Sequence, residues 1–356
     1  MSAPASTRPP LRRRVLLGLV AAAAVLGVAE LGAQLVLPAG QPPPGIALQE
    51  DPDILWTLSS GGGHAPPNRL GLRGAELPAR DTVDARILTL GDSSVYGDTV
   101  RDEEVYSAVA ARRLSALGCR VDAANGGVPG YSSVQAQVLY GRVHAQVRAD
   151  VVIVGTLWSD AAPGEETDVA HIARVRADLG TWGPVNRAFR AAQNSSALFR
   201  AVRQMRYGNF SFRAPTPPRR EKVGWVHAEE DLPIGTFPRV PPTDYRANLE
   251  ALVAAVRADG ALPVFLLLPH PYDDLGLTLP ERLLRYRRAM RESAVASSVP
   301  LVDGEAWFKA HPSGGTNRFS DDIHPNAQGH AAIAEAVVAS VAASPPLTTR
   351  LRAATR

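Results

Sequence analysis

The strongest constraint in this sequence is an alternation. From Ala85 to about residue 341, short apolar runs recur between stretches whose apolar residues fall at helical spacing. Arg86–Leu90 ends at Gly91 and predicts a first buried strand. Cys119–Ala124, Asp150–Gly155, Leu262–Leu268 and Pro300–Val302 predict four more. Between them, Tyr106, Ala110, Leu114 and Leu117 mark a helix that starts at the Asp102 cap, followed by Glu103 and Glu104, and stops at Gly118. Ala136, Leu139, Val143 and Val147 mark a second over 133–148, and Tyr245, Leu249, Leu252 and Val256 a third, closed by Gly260. Residues 280–297 form a charged amphipathic helix, and His330, Ile333, Val337 and Val341 mark the last. Strands that are apolar throughout, rather than alternating, are buried on both faces. The expectation is an α/β fold with a central parallel sheet covered by helices. In such sheets functional groups gather beyond the carboxyl ends of the strands.

The charge balance looks basic, at +3 with a pI near 9.2. Its location changes its meaning. Arg8, Arg12, Arg13 and Arg14 lie at one end and Arg350, Arg352 and Arg356 at the other, with no acid near either. The remainder holds 31 basic residues against 35 acidic ones, a net of −4. A nucleic-acid-binding body is therefore disfavoured. The single cysteine, Cys119, excludes an intrachain disulfide and a thiolate metal site. It reads as a small buried hydrophobe in the second strand.

The ends and linkers divide the chain further. Residues 1–14 form a basic N-terminus, and 15–38 an apolar segment interrupted at Glu30 and Gln34. Arg on its leading side predicts a signal anchor or transmembrane helix with a cytoplasmic N-terminus and the body outside. The rival is a signal peptide cleaved near Ala29 or Ala33, with the triple Arg weakly resembling a twin-arginine export signal. Resumption of the apolar run after both points favours the anchor. Residues 39–80 are rich in Pro and Gly and read as a linker and lead-in. Residues 81–345 form the α/β domain, with an insertion at 161–242, and 346–356 a basic tail. Within the insertion, residues 171–213 look helical, with Arg interleaved by aromatics, and 214–242 read as a Pro-rich loop. The helical part suits a cover over the active site, or contact with an anionic lipid surface.

Four blocks carry chemistry. Gly91-Asp92-Ser93-Ser94 closes the first strand, where a turn presents the Ser93 hydroxyl. A hydroxyl is a poor nucleophile until a base takes its proton. In Asp321-Asp322-Ile323-His324-Pro325, His324 is a suitable base, and Asp321 can accept from the other ring nitrogen. Asn125–Tyr131 follows the second strand, and Gly130 there can bring a backbone N–H close to a reacting carbonyl. Gly155–Asp160 follows the third strand. Each block alone also reads as an ordinary turn or surface loop.

Together they resemble the SGNH/GDSL hydrolase family in order and placement. Asn68–Gly74 (NRLGLRG) resembles the lead-in of exported bacterial members, and His324–His330 (HPNAQGH) the usual sequel to the DxxH block. The resemblance covers roughly residues 65–160 and 243–343. It implies a flavodoxin-like three-layer α/β/α fold and a serine esterase or lipase. Ser93 is then the nucleophile, His324 the general base and acid, and Asp321 its orienting carboxylate. The oxyanion hole draws on the backbone N–H groups of Ser93 and Gly130. Its third donor is an Asn side chain in the family, and here Ser159 stands at that position. A shorter hydroxyl predicts a slower enzyme, or a substrate that fits the change.

The same residues serve an O-acyltransferase acting on envelope glycans, and loss of the Asn motivates a non-catalytic envelope-binding protein. The expected partners are an ester substrate (an acylated glycan, a lipid or a small ester) and the cytoplasmic membrane. No metal, cofactor or nucleic acid is expected, since no phosphate loop or His-rich cluster is present. His270 reads as a structural loop residue, Asp303 as a lesser candidate for substrate contact, and Asp322 as a solvated neighbour of Asp321.

Overall fold

The computed structural model describes residues 11–36, 48–59, 66–116, 118, 120–178, 185, 237–313, 317–345 and 348–349. Cys119, most of the 161–242 insertion and nearly all of the C-terminal tail lie outside these residues. The chain divides into two compact units, one of residues 1–43 with 178–219 and one of 44–177 with 220–356.

In the first unit, α1 (Leu11–Val36) is a single helix of 26 residues. Leu17, Val20, Val25, Leu26, Val28 and Leu31 are exposed on it. Among the described residues, no helix is long and apolar enough to cross a membrane. The expected transmembrane helix over 15–38 is corrected accordingly. The uninterrupted apolar run ends at Glu30, after 15 residues, against about 20 for a span.

The second unit opens with a hairpin of β1 (Leu48–Asp51) and β2 (Leu55–Leu58). It continues through β3 (Ala85–Gly91), α2 (Ser93–Tyr96), α3 (Tyr106–Ser115), β4 (Val121–Gly127), α4 (Ser133–Val147), β5 (Val151–Gly155) and α5 (Trp158–Ala161). Next come β6 (Pro163–Gly164), α6 (Asp168–Asp178), β7 (Phe237–Pro238), α7 (Pro242–Ala258), β8 (Leu262–Leu267) and α8 (Pro271–Asp274). The chain closes with α9 (Glu281–Ala296), β9 (Leu301–Asp303), α10 (Gly304–Ala310) and α11 (Ala327–Ala343).

The central sheet has the order β4-β3-β5-β8-β9, and every pairing is parallel. That is the flavodoxin-like 2-1-3-4-5 order. All seven residues of β3 and all five of β5 are buried, as strands covered on both faces must be. α3 packs on α11, while α4 and α9 each pack on α7. In this order the direction of strand addition reverses between β3 and β5, and sheets of this order carry their functional sites beyond those carboxyl ends.

Three local readings need correction. The helix expected from Asp102 begins at Tyr106, after a 3₁₀ turn over Asp102–Glu104. The Asp102 carboxylate is taken by Arg73 Nε at 2.7 Å instead of capping the helix. The second strand runs through Asn125-Gly126-Gly127, which looked like a turn, because Leu90 pairs with Gly126 and Gly91 with Gly127. The residues must be small there: a Cβ on Gly127 would lie 2.3 Å from Tyr96 N. Finally, the 39–80 segment is not all linker. Ile54, Leu58 and Leu72 are in the hydrophobic core, and Gln135 Nε2 donates to Ile54 O at 2.9 Å.

Candidate active site

Ser93 occupies the first position of α2, directly after β3. Asp92 caps that turn, accepting from Ser94 N at 2.9 Å. As the first residue of a helix, Ser93 has a backbone N–H with no intrahelical acceptor. Among the described residues neither that N–H nor the N–H of Gly130 has a partner. Gly130 sits beyond β4 at φ +78°, a conformation that favours glycine. Val128 N donates to Gly91 O at 3.0 Å and holds this loop against the end of β3.

His324 reaches Ser93 from the loop before α11. Its Nε2 lies 2.7 Å from Ser93 Oγ and its Nδ1 2.7 Å from Asp321 Oδ2. Asp321 Oδ1 accepts from Ile323 N at 3.0 Å and His324 N at 2.9 Å, which sets the carboxylate in the turn. Burial raises the Asp321 carboxyl, but the His324 hydrogen bond, its charge and the two amides outweigh this and hold it at about 2. Asp321 is therefore an acceptor only, and His324 Nδ1 must carry the proton toward it. Nε2 is then free to accept from the Ser93 hydroxyl. Burial lowers the His324 pKa, yet Asp321, with Asp92 and Asp98, raises it above the usual imidazole value.

Two side chains lock the loops together across more than 220 residues of sequence. Ser94 Oγ donates to Ile323 O at 2.9 Å, and Thr99 Oγ1 donates to Pro325 O at 2.9 Å. Asn326 caps α11 by accepting from Gln328 N and Gly329 N, fixing where the His324 loop ends. Ser159 is buried in the single turn of α5. Its amide, with that of Trp158, faces the Asp92 carboxylate, so the block after β5 abuts the Ser93 turn. Asp160 is buried and accepts from Ser133 N and Oγ at 2.8 and 2.6 Å, and burial pushes its pKa to about 7.

The structure thus brings Ser93, His324 and Asp321 into one hydrogen-bonded line, with Ser159 beside the Asp92 turn. His270 stays apart from it. It caps α8, with Nδ1 accepting from Tyr272 N at 3.0 Å, and packs 5.6 Å from the Trp158 ring. Asp303 caps α10 through Ala306 N at 2.9 Å and pairs with Arg291, so its carboxylate is occupied by the scaffold.

Two further charged groups shape the site without a signal in the sequence that marks their role. Asp92 is fully buried, which raises its pKa to about 6, and its carboxylate charge acts on His324. Its place in the Gly-Asp-Ser block was visible, but its burial was not. Arg73 lies within the NRLGLRG block and clamps the loop after Ser93, donating to Tyr96 O at 2.7 Å and to Gly97 O and Val100 O at 2.5 Å each. Among the described residues no group of three metal-ligating side chains converges. A hydroxyl, an imidazole and a carboxylate in this line, beside two open amides, can transfer an acyl group through a serine ester.

Among solved structures the chain resembles an alpha/beta hydrolase from the metagenome of Lake Arreo, Spain, at 18% identity, covering 72% of this chain and 94% of that one, with a TM-score of 0.45. It resembles an acetyl xylan esterase at 12% identity, covering 72% and 99%, with a TM-score of 0.44. An acetylxylan esterase from Geobacillus stearothermophilus matches at 15% identity, covering 72% and 93%, with a TM-score of 0.43. At such scores nothing about activity follows from the likeness. No curated protein matches the chain. Residues 235–332 match the GDSL-like lipase/acylhydrolase family, and this stretch holds both Asp321 and His324. Over that stretch the chain is similar to a family of lipases and acylhydrolases.

Proposed function

We propose that this chain is a serine esterase acting on carboxylic esters through an acyl-enzyme, with Ser93 as nucleophile, His324 as general base and acid, and Asp321 as the carboxylate that orients His324. The observation that carries this reading is the line from Ser93 Oγ to His324 Nε2 and from Nδ1 to Asp321, 2.7 Å at each step. Ser93 Oγ attacks the ester carbonyl while its proton passes to Nε2. The carbonyl oxygen takes the displaced electron pair and is held by the N–H groups of Ser93 and Gly130, with the Ser159 hydroxyl as a third donor. Collapse breaks the bond to the alcohol oxygen, which leaves with the proton from His324. Water, deprotonated by His324, then adds to the acyl carbon and releases the acid, returning Ser93 to its hydroxyl form.

The acyl group comes from an acylated glycan, a lipid or a small ester. The direct test is labelling by a fluorophosphonate, which forms a covalent bond only with an activated serine. Labelling of the wild type and none of Ser93→Ala is expected. Equal labelling of both would remove Ser93 from the mechanism, and none of either would favour a binding protein over an enzyme.

For location, we propose that the body works on the outer side of the cytoplasmic membrane, associated with it through the N-terminal segment. The support is the exposed apolar side chains on α1 together with Arg12–Arg14 ahead of the apolar run. The full chain should sediment with anionic liposomes and a chain of residues 41–356 should not. Equal behaviour of the two would rule the proposal out.

A further inference from the structure

The Gly130 N–H belongs to the same peptide unit as Pro129 O. Trp56 Nε1 donates to Pro129 O at 3.0 Å. The next peptide unit carries Gly130 O, which accepts from Arg239 Nη1 at 2.7 Å. The trans peptide is a rigid plane with C=O and N–H pointing in opposite directions, so fixing the carbonyl also aims the amide. Glycine leaves the two flanking peptides unusually free to rotate. Support from outside the loop therefore matters most here. Trp56 also packs against Gly130, where an added Cβ would lie 3.0 Å from its ring.

Both supports are themselves held. Tyr131 Oη donates to Trp56 O at 2.6 Å. Arg239 forks onto Asp168 at 2.9 Å from each of two nitrogens, donates to Gln135 Oε1 at 3.0 Å, and lies 5.7 Å from the Trp56 ring. Ser132 Oγ also donates to Asp168, at 2.5 Å. Asp168 opens α6 at one side of the insertion, and Arg239 returns from the other beside the β6–β7 pairing. Trp56 comes from the N-terminal hairpin.

We propose that Trp56 and Arg239 are positioning residues that hold the two peptides around Gly130 so that its N–H faces the oxyanion. The proposal rests on the serine-esterase reading and assigns a catalytic purpose to the hairpin and to the insertion's return.

Two variants test it. Trp56→Phe keeps a ring over Gly130 and loses the indole N–H. Arg239→Lys keeps a cation for Asp168 and loses the fork. Hydrolysis of a short p-nitrophenyl ester gives kcat and KM, and inhibition by a trifluoromethyl ketone, whose serine adduct carries the oxyanion, gives Ki. Active sites are counted by fluorophosphonate labelling. Each variant should lower kcat per active site by about 10-fold to 100-fold and leave KM within about 2-fold, with Ki raised in parallel. A merely structural role would lower Tm or the number of active sites, with kcat and Ki per site unchanged. Values of kcat and Ki within about 2-fold of wild type in both variants would overturn the proposal. If either variant fails to fold, the other carries the same expectation alone. Failure of the serine-esterase reading is seen separately, as wild-type activity that survives Ser93→Ala.

Discussion

At the scale of single residues, the site is governed by one carboxylate and its effect on one imidazole. Asp321, held at about 2, stays ionised at every pH at which such an enzyme works. It raises the His324 pKa, which burial would otherwise lower. With the neutral imidazole as the proposed base, the acid limb of kcat/KM should follow His324 in the free enzyme. That limb should lie above the ordinary imidazole value of 6.5. Asp321→Asn removes the main opposition to burial, so the limb should move to lower pH. Loss of the correct tautomer should lower kcat by about 10⁴-fold, the size seen for the same change in a serine protease. A pH profile of the variant checks both, and a limb that stays in place would detach Asp321 from His324. That Ser93, His324 and Asp321 could meet was legible from their places at a strand end and a turn, and the hydrogen-bonded line does bring them together. The Asp92 charge was not legible, because burial at 0% exposure is a product of packing that no local pattern encodes.

At the scale of elements, the loop after Ser93 is held by a side chain from outside the strand-and-helix pattern. Arg73 is nearly fully buried and donates to three carbonyls between Tyr96 and Val100 while pairing with Asp102. Tyr96 O keeps a second donor in Asn125 Nδ2 at 3.0 Å, whereas Val100 O relies on Arg73. Arg73→Met should cost roughly 2 kcal/mol, the cost of leaving buried acceptors and a carboxylate without their cation. For a unit of this size that is a fall in Tm of about 4–8 °C, measured by thermal unfolding. An unchanged Tm would mean that water replaces the guanidinium without loss. The strands were easy to read because Val151–Val154 is apolar without interruption and Ile87–Leu90 is broken only by Thr89. The hairpin over Leu48–Leu58 was not. It lies within a Pro- and Gly-rich stretch, and its role comes from contacts with Tyr131, Pro129 and Gln135, far away in sequence.

At the scale of the molecule, the five-stranded parallel sheet places the carboxyl ends of β3, β4 and β5 side by side, with Gly91 paired to both Gly127 and Gly155. Small residues are required at this meeting point, since a Cβ on Gly91 would lie 2.3 Å from Gly155 O. The Ser93 turn, the Gly130 loop and the Ser159 turn therefore leave from one edge, and the loop before α11 brings His324 to it. The basic pI belongs to the chain ends, and the body that carries the site is net acidic. This gives no reason to invoke nucleic acid. The central claim is that Ser93 performs covalent chemistry, and the most direct measurement is kcat for a short p-nitrophenyl ester with wild type and Ser93→Ala. The wild type should turn over, with a loss of about 10⁶-fold in the variant, as for removal of a serine nucleophile from a comparable relay. Turnover by Ser93→Ala within about 10-fold of wild type would contradict it.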